Sequence, residues 1–268
     1  MRIYYSIILL FVINTLNAQE LFVFTEPASN MAKGNLGFRM MNSVMKEIVG
    51  NGYNTHLMPE VMYGISSKWM IHAASFISNR NSSYVAEGGS FYVKHKFLNS
   101  DDVQKHFRMA AFARYSFNNA DIHQDEINLI GHNSGYELGI NATQLLHKVA
   151  ISGGLSYLQA FNNGSKYEFP KSQSNQAMYY TLSFGKLMLP KKYKDYKQTN
   201  VNLMCELLGQ TLVPNGKTYL DIAPSVQFIF LSKIRLDLAY RQQLLANLQR
   251  TAPNGFVFRF EYNFFNIY

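Results

Sequence analysis

A single cysteine, Cys205, stands in the 268 residues, so neither an internal disulfide nor a cysteine-ligated metal cluster is available to hold the chain together. Tryptophan is as scarce, with Trp69 alone. Charged residues amount to only 16% with a net charge of +8, which excludes a disordered or polyanion-packaging chain. The positive charges are spread over connecting segments, so they speak for solubility of exposed ends and not for a nucleic-acid partner. Beyond the first few residues no apolar run approaches the roughly 20 residues of a helical membrane span. What is abundant is apolar and aromatic: 47% hydrophobic residues, with 20 Phe, 18 Tyr and 12 Met.

The start of the chain gives a compartment. Arg2 supplies a positive end, Ile7 to Ile13 an apolar core, and Leu16-Asn17-Ala18 a set of tolerated residues ahead of a cut before Gln19, the layout of a secretory signal peptide over residues 1–18. No cysteine follows the cut, so a lipid-anchored form is not expected. Residues 19–33, with Pro27 and few strand signals, are expected to form a periplasmic N-terminal segment at the mouth of whatever follows.

From residue 35 onward the apolar residues recur with period two. Phe256, Phe258, Phe260, Tyr262 and Phe264 alternate with Val257, Arg259, Glu261 and Asn263, giving a strand with one apolar and one largely polar face. Ile234, Leu236, Leu238 and Tyr240 likewise oppose Arg235, Asp237, Ala239 and Arg241, and Val201, Leu203, Cys205 and Leu207 oppose Asn200, Asn202, Met204 and Glu206. A soluble sandwich also alternates, but connection lengths separate the two. Strands are expected near 34–42, 54–64, 68–78, 87–98, 105–117, 134–145, 147–159, 177–188, 199–211, 218–230, 233–245 and 255–266. Mostly tight turns, such as Ile65-Ser66-Ser67 and Leu231-Ser232, alternate with longer polar stretches such as 118–133 and 160–176. Short and long connections in alternation mark an all-β, up-and-down antiparallel transmembrane barrel of about 12 strands, with turns on the periplasmic side. An open edge in lipid would leave backbone groups unpaired at several kcal/mol each, roughly, so the first strand must pair with the last.

The secreted start, the alternating meander and the aromatic ending Phe264-Phe265-Asn266-Ile267-Tyr268 resemble Gram-negative, Bacteroidetes-like outer-membrane β-barrels. That resemblance implies residence in outer-membrane lipid and insertion by the barrel-assembly machinery, with Phe260, Tyr262, Phe264 and Tyr268 as the assembly signal. Tyr63-Gly64-Ile65-Ser66-Ser67-Lys68-Trp69 is similar to the strand, turn, strand motif of phenol-degradation MetA-pathway and related hydrophobic-compound transporter barrels.

With the charged faces turned inward, the lumen is expected to hold Arg39, His56, Glu60 and His72 from the first strands, and Arg108, Arg114, Glu137 and Glu206 from the middle ones. Asp221, Arg235, Asp237, Arg241, Arg259 and Glu261 complete it from the last. Both signs are present, so they either brace a narrow polar path or fill it. The expected function is a channel, a monomer, passing an unidentified small solute, because small residues (Gly139, Ala150, Ser152, Gly154, Ser183, Gly185) cluster on the inner face of the sixth to eighth strands. A structural or surface-interaction barrel with a plugged lumen is the alternative. An outer-membrane phospholipase is a distant third: His132-Asn133-Ser134-Gly135 resembles part of its His-x-Ser-Asn-Gly segment, without an orienting third group. His123, Asp125, Glu126 and His132 share one exterior loop but have no compact ligand spacing, and no cofactor is expected. The basic, aromatic run Lys191 to Lys197 reads as a periplasmic turn.

Overall fold

The computed structural model describes residues 22–267 except 51, 80–82, 104, 193–196 and 266. The expected signal peptide, Tyr268 and the centre of the 191–197 run therefore lie outside the described residues. Twelve strands follow one another: β1 (Leu36–Lys46), β2 (Tyr53–Gly64), β3 (Trp69–Ser78), β4 (Val85–Asp102), β5 (Lys105–Asn118), β6 (Ser134–Leu146), β7 (Val149–Phe161), β8 (Gln176–Leu189), β9 (Asn200–Leu212), β10 (Thr218–Phe230), β11 (Ile234–Ala246) and β12 (Asn254–Phe264). Each pairs antiparallel with its sequence neighbours, and β1 pairs with β12 from Leu36↔Phe264 to Lys46↔Asn254, which closes the barrel.

Closure sorts the two faces as the alternation requires. Phe256 and Phe258 are 57% and 47% exposed on the outside, while Val257 and Arg259, alternating with them, are buried. Leu138, Ile140, Leu182, Phe184, Leu203, Leu236 and Leu238 continue this belt around the barrel, and Cys205 lies on the same outer face, paired with Pro224. A belt of that extent has no partner in water and matches the hydrocarbon of a bilayer. Inside sit the charges, an inversion of a soluble protein that only a lipid exterior makes stable.

Two strands are longer than the alternation suggests. β1 runs to Lys46 because Val44 and Met45 pair with β2 and β12 at once, although Met-Met-Asn-Ser-Val-Met-Lys has no clean period. β4 runs to Asp102 because Asn99 to Asp102 pair with Lys105 to Arg108 in a projecting hairpin, beyond a bulge at Lys96/Leu98. Pro59 of β2 and Pro224 of β10 fall where a ladder skips, between Leu57↔Ile77 and Glu60↔Ala74, and between Ile222↔Gln242 and Ser225↔Ala239. A pyrrolidine nitrogen has no proton to donate, so the break falls where no bond is lost. The β10–β11 turn places Leu231 and Ser232 at φ 52° and 56°, the left-handed pair that a tight hairpin needs to follow strand twist.

Candidate functional site

The N-terminal segment is inside the barrel. It enters at the rim of the short turns, where Gly34 N–H donates to Gly64 O, and reaches Glu206 in the middle of β9, further in than the mouth where the sequence reading set it. The segment has no strand partner, so its backbone groups must find side chains. The Glu206 carboxylate accepts from the N–H groups of Val23 (2.7 Å), Phe24 (3.1 Å) and Thr25 (2.7 Å). Arg259 donates to the carbonyls of Phe22 and Val23. Lower down, Lys94 Nζ donates to Pro27 O and Ser29 O, both at 2.8 Å, and to Glu26, while Ala28 N–H donates to Thr143 Oγ1. Phe22, Val23 and Ala28 are buried. The strap is a plug bolted to β4, β6, β9 and β12.

From the other side the loop between β5 and β6 folds inward. Ile127 N–H donates to Gln210 Oε1 and its carbonyl accepts from Gln210 Nε2. Ile127 and Leu129 pack with Leu158, Leu212, Tyr219 and Leu248 in a buried cluster. Glu126 is held by Arg250 at 2.7 Å, and Arg250 also reaches Asp221 at 2.7 Å and lies 3.9 Å over the Tyr219 ring. Burial pushes the Glu126 carboxyl up, but Arg250 and Arg241 outweigh it and hold it below its ordinary value. A depressed folded pKa adds stability above the unfolded value of about 4.3 and loses it only as pH falls through the folded one. The loop is therefore expected to stay docked from pH 8 to 5 and to loosen below about pH 4. Hydrogen exchange of residues 119–133, corrected for intrinsic rate, checks this; release already at pH 6 would refute it.

Between plug and loop lies a chamber of about 230 Å³. Val23 to Glu26 line it from the plug, Gln124 and Glu126 to His132 from the loop, and the walls include Phe76, Tyr92, Phe112, Leu158 and Tyr179. Its charges are matched: Arg114 with Glu137 (3.2 Å), Arg241 with Asp221 (2.6 Å), Arg39 with Glu60 (3.0 Å) and Glu261 (2.9 Å), and Arg259 with Asp237 (2.6 Å). His72 Nδ1 is 2.8 Å from Glu60, and Arg235 spans Asp237 and Glu261 at 3.1 and 2.9 Å. Arg108 binds Asn99 and Ser29. His56 stands ring to ring with His132, centroids 4.7 Å apart. The fourteen residues assigned to the inner face thus fall into the plug's anchors, the chamber lining and a belt of ion pairs, not a single open path.

Four contributors escaped the sequence reading. Lys94, fully buried, was legible, since Ser90, Tyr92 and Lys94 alternate with Phe91, Val93 and His95. Glu26, Glu126 and Arg250 sit in segments without periodicity, and nothing local marks them as inward. The exterior-loop constellation does not converge: Asp125 pairs with Lys217 and Glu126 with Arg250, and no group of three metal-ligating side chains occurs among the described residues. Ser134 Oγ is engaged by the backbone N–H and carbonyl of Asn118.

A closed twelve-strand barrel, apolar outside and plugged within, is an outer-membrane β-barrel. The crystal structure of an outer membrane channel from Pseudomonas putida F1 is similar over 90% of this chain and 99% of that one, at 10% identity and a TM-score of 0.56. The CymD monoaromatic hydrocarbon channel matches 87% of this chain and 88% of its own, at 9% identity and a TM-score of 0.41. At such identities the likeness is one of fold. No family model and no curated protein matches the chain.

Proposed function

We propose that the chain is a channel for small solutes in the outer membrane of a Gram-negative bacterium, held shut here by its N-terminal plug and inward loop. The observation that carries this is the chamber: it lies between two stops, neither of which belongs to the barrel wall. A barrel filled only for strength would leave no such space, yet the chamber is there, with Gly154 and Ser156 of β7 in its lining. The similar structure from Pseudomonas putida is itself an outer membrane channel. The hydroxyl of Ser134 is bonded to backbone and the His132 ring lies tilted against His56, which speaks against the phospholipase reading. Insertion is assigned to the barrel-assembly machinery reading Phe260, Tyr262, Phe264 and Tyr268.

Planar-bilayer conductance tests the reading. The wild-type barrel is expected to open rarely. Deletion of residues 22–33 removes the groups that Glu206, Arg259 and Lys94 hold, and is expected to give steady conductance. A plug-deleted barrel that folds, shown by heat-modifiable migration, yet stays silent would move the protein to the structural class.

A further inference from the structure

The basic run that begins at Lys191 has no part in the lumen, but the fold gives it neighbours. Lys148, in the tight β6–β7 turn, donates from Nζ to Pro190 O at 3.0 Å and to Lys191 O at 2.7 Å, and its own carbonyl accepts from Leu187 N–H at 2.9 Å. Lys148, Lys186, Lys191 and Lys192 are thereby gathered at one corner of the rim. Lys33, Lys68, Lys105 and Lys233 stand exposed around the same end of the barrel, where the exposed carboxylates among the described residues are Asp101 and Asp102 of the projecting hairpin, Asp101 being engaged by His106 and Arg108. The loop end is balanced. There Lys46, Lys166, Lys171 and Lys217 are set against Glu47, Asp121, Asp125 and Glu168, and Lys217 is paired with Asp125 at 2.8 Å. Among the described residues the lysine excess thus belongs to the turn end.

One lysine of the corner stands on the wall itself. Lys186 of β8 follows Leu182 and Phe184 on the outer face, flanked by Val149 of β7 and Leu203 of β9, with Leu146, Met188 and Leu189 exposed beside the corner. Its stem covers apolar wall while its charge lies at headgroup depth. Trp69, the chain's single tryptophan, marks that depth on β3: it is exposed on the outer face, follows Lys68 and stacks on His95 with ring centroids 4.3 Å apart. An indole, apolar in body and polar at its N–H, settles at the headgroup boundary.

We infer that the turn end of the barrel binds anionic phospholipid of the inner leaflet, with Lys148, Lys186, Lys191 and Lys192 as the seat of its phosphate. Charge complementarity sets the class: β6 to β9 carry no exposed carboxylate at this end among the described residues, and cations within a Debye length of one another add their pull on an anionic headgroup. Position sets the source. An acidic protein would approach from below the rim and would have no use for Lys186, whose place on the outer face is reached by lipid. The seat does not depend on whether the lumen conducts.

Brominated lipids test this on the full-length barrel refolded into vesicles of phosphatidylcholine and phosphatidylglycerol. Trp69→Phe combined with Phe184→Trp leaves one indole beside Lys186, so its quenching reports the lipid at the corner. Phosphatidylglycerol is expected to be preferred there about three- to tenfold at low salt, and the preference is expected to vanish in about 1 M salt. Lys148→Gln, Lys186→Gln, Lys191→Gln and Lys192→Gln together are expected to bring it to about one, whereas Lys46→Gln, Lys166→Gln and Lys171→Gln at the loop end leave it unchanged. Should the fourfold variant not fold, Lys186→Gln with Lys191→Gln, and the salt dependence of the unaltered corner, keep the test. Equal quenching by the two lipids at low salt, or a preference that survives the substitutions, would overturn the seat. Polyglutamate bound by the barrel in uncharged detergent, with no preference for phosphatidylglycerol in vesicles, would assign the lysines to an acidic protein and overturn it equally.

Discussion

Deletion of residues 255–268 is expected to abolish membrane assembly, leaving no heat-modifiable folded band and no chain recovered in the outer-membrane fraction. β12 is paired along its whole length on one side with β1 and along most of it on the other with β11. Without it, the N–H and C=O rows of both neighbours face hydrocarbon, where each unmatched group costs several kcal/mol, roughly, and no water is at hand. β1 and β11 cannot heal the gap by pairing directly, since a barrel of one strand fewer would turn both in the same sense and break the antiparallel order. The deletion also strips Arg39 and Arg235 of Glu261 and Asp237 of Arg259. Normal insertion of the truncated chain would refute the closed barrel.

The barrel wall was open to reading because its physics is local and repeated. Phe256, Phe258 and Phe260 against Val257, Arg259 and Glu261 set both faces of β12, and the register that pairs Arg39 with Glu261 follows once the charged faces share one interior. Reading failed where the alternation stops. Ser43 to Lys46 belong to β1 through β2 on one side and, on the other, β12 more than 200 residues along the chain, and no local alternation holds that information. The lumen's contents failed for the same reason on a larger scale. Glu206 meets Val23 some 183 residues away, and Arg250 meets Glu126 over 124. A plug and an inward loop have irregular backbones by necessity, so they carry no period, and their lack of strand signal is equally that of an exposed loop. Only chemistry distinguishes them: backbone that leaves water must be met by side chains, and Glu206, Lys94 and Arg259 are such side chains on the wall.

Glu261→Leu is expected to destabilise the barrel by about 3–5 kcal/mol, measured as a shift of the urea midpoint of the refolded protein in vesicles with an unchanged slope. Glu261 sits where the barrel closes. Arg39 of β1 binds it at 2.9 Å across the β1–β12 seam and Arg235 of β11 approaches to 2.9 Å from the other side. Arg39 goes on to Glu60 of β2 and from there to His72 of β3, while Arg235 goes on to Asp237 and Arg259. The result is a belt of alternating charge from β11 through the seam to β3, all of it nearly shut off from water. Leucine at 261 leaves the two guanidiniums facing each other over an apolar side chain, Arg235 with Asp237 alone and Arg39 with Glu60 and the more distant Glu26. Most of the loss is then the cost of the uncompensated cation and not the value of the pair, and that distinction can be measured. Arg235→Met added to Glu261→Leu removes the surplus charge and is expected to restore part of the stability, so the double variant should lie above the single one. A loss under about 1 kcal/mol for Glu261→Leu, the size of an exposed pair, would mean that water screens the lumen at the seam, and that closure rests on the backbone ladder of β1 and β12 alone.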